Sequence, residues 1–122
     1  MSHDAYKKTS ENVQGPRDAE YRAFCEATAR LLRIAEEGRA DLKAMIEALH
    51  FNRRLWGALA SDCRSDENGL PKETRASIVS LSDWVSKYSS EIMRNKEAVE
   101  PLIEVNRMMM EGLSGKAPAS DE

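Results

Sequence analysis

The sequence predicts an all-α protein, a small single-domain helical bundle of about four to five helices with a disordered C-terminal tail. Three observations support this fold class. Apolar residues recur at spacings of three and four in several long stretches, the six glycines and four prolines fall mostly between those stretches, and β-branched and aromatic residues form no alternating runs. A chain of 122 residues can also build one modest core without metals or disulfides. We assign residues 1–113 to the helical domain and residues 114–122 to the tail.

The N-terminal part of the chain predicts an arm followed by a core helix. Residues 1–15 are polar and predict a short, loosely attached helix or a frayed arm. Pro16 suits a first helical position, and Gly38 suits a C-terminal stop, although one longer helix bent at Gly38 is the alternative. The apolar face of this helix is predicted to carry Tyr21, Phe24, Cys25, Thr28, Leu31, Leu32 and Ala35.

A second helix is predicted from Leu42 to Cys63, with Asp41 as its N-terminal cap. Two polar residues, Asn52 and Arg53, continue the spacing of its apolar face. Because a buried amide or guanidinium is costly without partners, this pair is either satisfied inside the fold or bound by another molecule. The apolar positions of the face are Leu42, Met45, Ile46, Leu49, Trp56, Leu59, Ala60 and Cys63.

Two further helices are predicted, one from Pro71 to Asn95 and a short one from Pro101 to about Leu113. At about 100° per residue, the apolar residues of the last helix cover roughly 220° of its circumference, with Asn106 near the middle. Either two other helices enclose this helix, or part of its methionine surface is left for a partner. Trp56 and Trp84 are both predicted to lie in the core. The apolar residues of the last helix are Leu102, Ile103, Val105, Met108, Met109, Met110 and Leu113.

Composition and motifs argue against several classes of function. The net charge of −3 and the lack of a basic patch with interleaved aromatic residues argue against direct nucleic acid binding. No apolar run reaches the ~20 residues of a membrane span, and no signal peptide is recognisable, so we expect no membrane insertion and a cytoplasmic location. Cys25 and Cys63 are predicted to be buried free thiols.

The sequence gives no sign of an enzyme. His50 has no Cys or Ser nearby that would form a nucleophile and base pair, so we predict no catalytic residues. Metal-ligand spacings and Gly-rich phosphate loops do not occur, so no metal-binding or cofactor-binding residues are predicted and no cofactor is expected.

Seven stretches of the chain form a recognisable pattern, namely PRDAEYRAF at 16–24, HFNRRLW at 50–56, LASD at 59–62, NGLP at 68–71, RASIVSL at 75–81, PLIEVNR at 101–107 and MEGL at 110–113. Taken in order, these stretches resemble the FlaF family, flagellar biosynthesis regulators of alphaproteobacteria. The resemblance extends over nearly all the chain apart from the tail. Asn95 departs from the glycine common in the family, Phe51 from a polar residue, and Glu111 from an arginine.

The resemblance implies a helical cytoplasmic protein that acts on flagellin, the filament subunit. Our first hypothesis is a flagellin chaperone that promotes flagellin synthesis or secretion in opposition to FlbT. The alternatives are a regulator of flagellin translation acting through FlbT or flagellin mRNA, and a structural adaptor or homodimer. The sequence leaves the oligomeric state open. Candidate partner-binding residues are Asn52, Arg53, Trp56, Asn106, Arg107, Met109 and Met110.

Overall fold

The computed structural model describes residues 16–95 and 97–114, which form four α-helices and confirm the all-α prediction. These are α1 (Pro16–Glu37), α2 (Leu42–Cys63), α3 (Lys72–Asn95) and α4 (Glu100–Ser114). The predicted N-terminal arm lies outside the described residues, as does the predicted tail except for its first residue, Ser114, which is the last residue of α4. A search of the described residues finds no helix with the length and apolar character that a membrane crossing requires.

The link between α1 and α2 follows the stop and start signals of the sequence. Gly38 has a φ of 89°, a left-handed conformation that suits glycine, and its N–H donates to the Ile34 carbonyl over 2.9 Å. The alternative of one bent helix is therefore wrong. The Asp41 carboxylate then accepts a hydrogen bond from the Ala44 N–H at 3.1 Å, which confirms the predicted cap of α2.

The links to α3 and α4 also lie where the sequence predicts them. Lys72, directly after Pro71, begins α3, and Asn95 ends it. Glu100 begins α4 one residue before the predicted Pro101, which lies at a position where proline is tolerated because the first N–H groups of a helix have no helical partner.

Three helix pairs pack side by side: α1 with α4, α1 with α2, and α2 with α3. The end of the bundle where α1 meets α2 is held to the α3–α4 link. Arg39, in the α1–α2 link, donates to the Glu97 carbonyl. The α3–α4 link is also held to α3 itself, because the Tyr88 hydroxyl donates to the Ala98 carbonyl over 2.7 Å. The core runs through all four helices and contains Phe24, Leu31, Ile34, Met45, Ala48, Leu49, Trp56, Leu59, Cys63, Ile78, Val85, Ile92, Val99, Leu102 and Ile103.

Some residues predicted to be buried are exposed. Trp84 is 37% exposed, so its placement in the core is wrong; it flanks the buried face of α3 and stacks on Tyr88, with ring centroids 5.0 Å apart. Leu42 and Ile46 are 55% and 44% exposed. Leu42 is the first residue of α2, and Ile46 lies two turns before Arg53, on the flank of the helix beside its buried face. Cys63 is buried as predicted, whereas Cys25 is only half-buried.

Candidate partner-binding site

A network of buried polar side chains joins three of the helices, and Asn106 of α4 is at its centre. Trp56 Nε1 donates to Asn106 Oδ1 at 2.8 Å, and Asn106 Nδ2 donates to Asn52 Oδ1 at 2.8 Å and to Thr28 Oγ1 at 3.1 Å. Asn52 and Asn106 are 0% exposed. We call Thr28, Asn52, Trp56 and Asn106 the buried polar network. It satisfies both ends of the Asn106 amide, whereas Asn52 Nδ2 is buried and has no hydrogen-bond partner among the described residues.

Helical spacing brings these side chains together. Asn52 and Trp56 are four residues apart on α2, so they share one face of the helix, as do Phe24 and Thr28 on α1. The Phe24 ring packs edge-on against Trp56 with centroids 5.3 Å apart. On α4, Met110 follows Asn106 by one turn, and its sulfur accepts the Thr28 hydroxyl at 3.7 Å. Phe24 and Met110, each one turn along its own helix from a member of the network, therefore pack against the network.

The side chain of Arg53 extends from α2 to α3, away from the buried polar network. Its Nη2 donates to the Ser86 carbonyl at 2.9 Å and to Ser90 Oγ at 2.7 Å, both on α3. The side chain of Asn52 lies in the network and that of Arg53 on α3, so this pair finds partners on two sides of α2. A role for Asn52, Arg53, Trp56 or Asn106 in binding another molecule stays a prediction.

The remaining candidate residues lie on the outer part of α4. Arg107 is exposed, and Met109 and Met110 are half-buried. Met108, which was not a candidate, is 64% exposed. The methionine surface is therefore only partly enclosed by other helices, as the second interpretation of the wide apolar arc requires. Whether a partner contacts it stays a prediction.

An open groove with a volume of about 620 Å³ lies at the end of the bundle where α2 ends and α3 begins. We call it the apolar groove, because five of its lining side chains are large and apolar. Its walls come from α1, α2, the α2–α3 link, α3 and α4. One of the lining residues is Met109, a predicted partner-binding residue. The lining residues are Glu20, Leu59, Asp62, Asn68, Gly69, Leu70, Thr74, Ile78, Met109, Gly112 and Leu113.

Sequence reasoning missed this groove because its walls come from five separate segments. Nine of its eleven lining residues, all except Thr74 and Met109, belong to the stretches that carry the family resemblance. Those stretches are far apart along the chain and fall at helix ends, so no periodicity connects them. The one sequence signal that could have assigned these lining residues to a common site is that they belong to the stretches that resemble the family.

The ionisable side chains that line the groove among the described residues are both acidic, Glu20 and Asp62. Asp62 accepts a hydrogen bond from Asn68 Nδ2 at 3.0 Å. Burial is the main reason that the pKa of the Cys63 thiol is raised above 9.0, and the negative charges of Asp62 and Glu20 raise it further, while Arg75 acts in the opposite direction. Acidic side chains therefore lie both in the groove lining and near the Cys63 thiol.

A second open groove, of about 510 Å³, lies between α1 and α2. Its lining includes the Phe51 ring, over which the Arg30 guanidinium lies 4.2 Å from the ring centroid, while Arg30 Nε bonds to Glu26 at 2.9 Å. Of the charged side chains in this lining, Arg30 and Arg54 are basic and Glu47 is acidic.

Metal binding has no evident site within residues 16–95 and 97–114. No group of three or more His, Cys, Asp and Glu side chains there is arranged to hold a metal ion.

Comparison with known proteins gives one match. A family model described as "Flagellar protein FlaF" matches residues 2–113. No curated protein and no solved structure matches the chain at a significant level. The match extends over every helix described above except the last residue of α4, and it agrees with the resemblance seen in the sequence.

Proposed function

The chain belongs to the FlaF family of flagellar proteins, and from this premise we propose that it binds flagellin as a cytoplasmic chaperone. In this proposal it has no enzyme activity. It promotes flagellin synthesis or secretion for filament assembly, in opposition to FlbT.

The apolar groove is the observation that supports this proposal best. Leu59 and Ile78 are buried at its floor, while Leu70, Met109 and Leu113 are only half-buried along its walls. A volume of about 620 Å³ falls within the range of roughly 300–1,000 Å³ typical of ligand pockets. Such a surface suits an amphipathic helix that lays its apolar face into a groove.

Flagellin is a partner of the required kind. Its terminal segments form helices that pack only in the filament, so before export they expose amphipathic surface that is liable to aggregate. Covering those segments in the groove would keep the subunit soluble. Because flagellin must then be released to the export machinery, reversible binding is needed, and flexible methionine side chains such as Met109 adapt to such contacts.

The test is size-exclusion chromatography with light scattering on the full-length protein mixed with its own flagellin, free of RNA. We expect a stoichiometric complex that is lost in Leu113→Gln, which puts a polar amide on the groove wall. Met108→Gln is the matched control, because Met108 lies on the same helix, is 64% exposed and does not line the groove. Circular dichroism checks that both variants keep the wild-type fold.

Two outcomes contradict the proposal. If the wild-type protein and folded flagellin form no complex, the physical partner is not flagellin, and regulation of flagellin translation through FlbT or flagellin mRNA takes its place. If both variants bind equally well, flagellin binds elsewhere on the chain and the groove has another role.

A further inference from the structure

We propose that residues 2–15, which precede α1, lie in the apolar groove of the free protein and are displaced when a partner binds there. The chain then covers the groove with a segment of its own, and a partner has to compete with that segment. Coverage of the groove in the free protein does not depend on which partner binds. The effect on flagellin binding rests on the proposed function.

The N-terminal segment joins the folded part of the chain beside the groove. Glu20 of α1 lines the groove, and α1 begins four residues earlier, at Pro16. At a rise of 1.5 Å per residue, these two positions are only about 6 Å apart along the helix axis. The chain that precedes Pro16 therefore starts about one helical turn from the groove.

The segment is long enough to reach the groove lining. An extended chain covers at most about 3.3 Å per residue, so Val13 can lie up to about 10 Å from Pro16, and Tyr6 up to about 33 Å from it. Val13 can therefore contact the near edge of the groove, and Tyr6 can contact any part of it.

The side chains of the segment suit an apolar surface. Apart from Met1, its apolar residues are Ala5, Tyr6 and Val13. Tyr6 and Val13 are seven residues apart, which is the spacing of one helix face over two turns. Their counterparts are the half-buried leucine and methionine side chains of the groove walls. Contact between the two sets would remove apolar surface from water on both sides.

The C-terminal residues also begin beside the groove, because Leu113 lines it, but they lack large apolar side chains. In residues 115–122 the only apolar side chains are those of two alanines and one proline. The family model matches residues 2–113, so it includes the N-terminal segment and leaves out residues 115–122. The N-terminal segment is therefore the end of the chain that fits the groove.

Weak contacts suffice when a segment and its site belong to one chain. A site and a segment joined by a short stretch of chain meet at an effective concentration in the millimolar range, so an intrinsic dissociation constant of about 1 mM fills the site in about half of the molecules. If the groove is open in only about one half to one tenth of the molecules, a partner binds about twofold to tenfold more weakly than to an open groove. Such coverage lowers affinity without preventing binding.

The test compares three full-length proteins: the wild type, a double variant with Tyr6→Ser and Val13→Ser, and the control Lys7→Gln, which changes a polar residue of the same segment. Methyl NMR spectra of the free proteins report on the groove through Ile78 and Leu113. Calorimetry then measures the affinity of each protein for its own flagellin, and thermal unfolding checks that the fold is retained.

We expect the methyl signals of Ile78 and Leu113 to shift in the double variant and to keep their positions in the control. The signals of Val85, which is buried in the core and does not line the groove, should not change in either variant. Flagellin should bind the double variant about twofold to tenfold more tightly than the wild type, because the groove is then open in every molecule.

Two outcomes separate this inference from the proposed function. Groove signals that stay unchanged in the double variant would overturn the inference, whether or not flagellin binds. If the groove signals shift but the wild-type protein forms no complex with flagellin, the proposed function fails and coverage of the groove by the segment is supported.

Two further outcomes count against the inference. Shifted groove signals with equal flagellin affinities would show that the segment and flagellin do not compete, which overturns the displacement. If the shift appears only at high protein concentration, together with a dimer in light scattering, a second copy of the chain covers the groove and the inference is overturned.

Discussion

The buried polar network and the apolar groove are opposite exceptions to the usual distribution of side chains, in which polar groups contact water and large apolar groups are buried. In the network, amide and indole groups are shut away from water; in the groove, leucine and methionine side chains are left half in contact with it. Helix α4 contributes to both, through Asn106 and Met109. Asn106 finds all its partners within the chain, through hydrogen bonds of 2.8–3.1 Å, whereas the half-exposed side chains of the groove still offer apolar surface.

This contrast teaches how to interpret a residue that breaks a pattern. A polar residue on an apolar helix face can form hydrogen bonds with polar residues on neighbouring helices, and it then fixes how those helices pack. A half-exposed apolar side chain at a helix end has no such partner among the described residues of the chain. If another surface covers it, the gain in free energy is roughly 25 cal/mol for each Å² of apolar surface removed from water. Substitutions in the network should therefore change the free energy of unfolding, and substitutions in the groove should change binding.

The largest effect is expected for Trp56→Ala. This change removes a completely buried side chain, its contact with Phe24 and the donor to Asn106, and should lower the free energy of unfolding by about 3–5 kcal/mol. Trp84→Ala is the control, because Trp84 is partly exposed and stacks on Tyr88 at the flank of α3, and should cost about 1.5 kcal/mol or less. Urea denaturation measures both. Equal losses would mean that Trp56 has no special place in the core.

Asn106→Ala should follow, with a loss of about 2–4 kcal/mol. It leaves the Trp56 indole N–H and the Asn52 amide oxygen buried without their partner, and each unsatisfied group costs about 1–3 kcal/mol. Arg107→Ala changes the next, exposed residue and should shift the free energy of unfolding by about 0.5 kcal/mol or less. If the two variants were equally stable, the network would not hold α4 in place, and the contrast with the groove would fail.

Arg53→Ala should cost about 1.5–3 kcal/mol, because it removes two charge-assisted hydrogen bonds from α2 to α3. Its neighbour Arg54 is exposed, so Arg54→Ala serves as the control, with an expected change of about 0.5 kcal/mol or less. Chemical denaturation with unchanged m-values would assign the loss to the native state. A flagellin affinity lowered in Arg53→Ala beyond its loss of stability would instead make Arg53 a contact residue.

Sequence patterns predicted the helices well because each one carries its own signals. Gly38, Asp41 and Pro71 mark boundaries that the structure confirms, and the three-four spacing identified most of the buried faces. The same patterns could not say how Asn52 and Asn106 meet, since that contact depends on how α4 returns across α1 and α2. Neither could they find the groove, whose walls are brought together only when four helix ends meet. Periodicity is a local property, and both regions are made by long-range packing.

The smallest change in stability is expected for Gly112→Ala, and it separates the two regions most sharply. Alanine has a higher helix propensity than glycine, and the added Cβ meets no atom within 4 Å, so the free protein should become more stable by up to about 1 kcal/mol. The same methyl group occupies space on the groove wall that a bound helix needs, so flagellin affinity should fall. Gly57→Ala is the control: Gly57 lies on α2, is exposed and equally open, and is outside the groove, so the variant should gain stability and bind normally. Thermal unfolding and calorimetry on the two variants would measure both quantities, and a Gly112→Ala protein that binds flagellin as tightly as Gly57→Ala would show that no backbone packs closely against that part of α4.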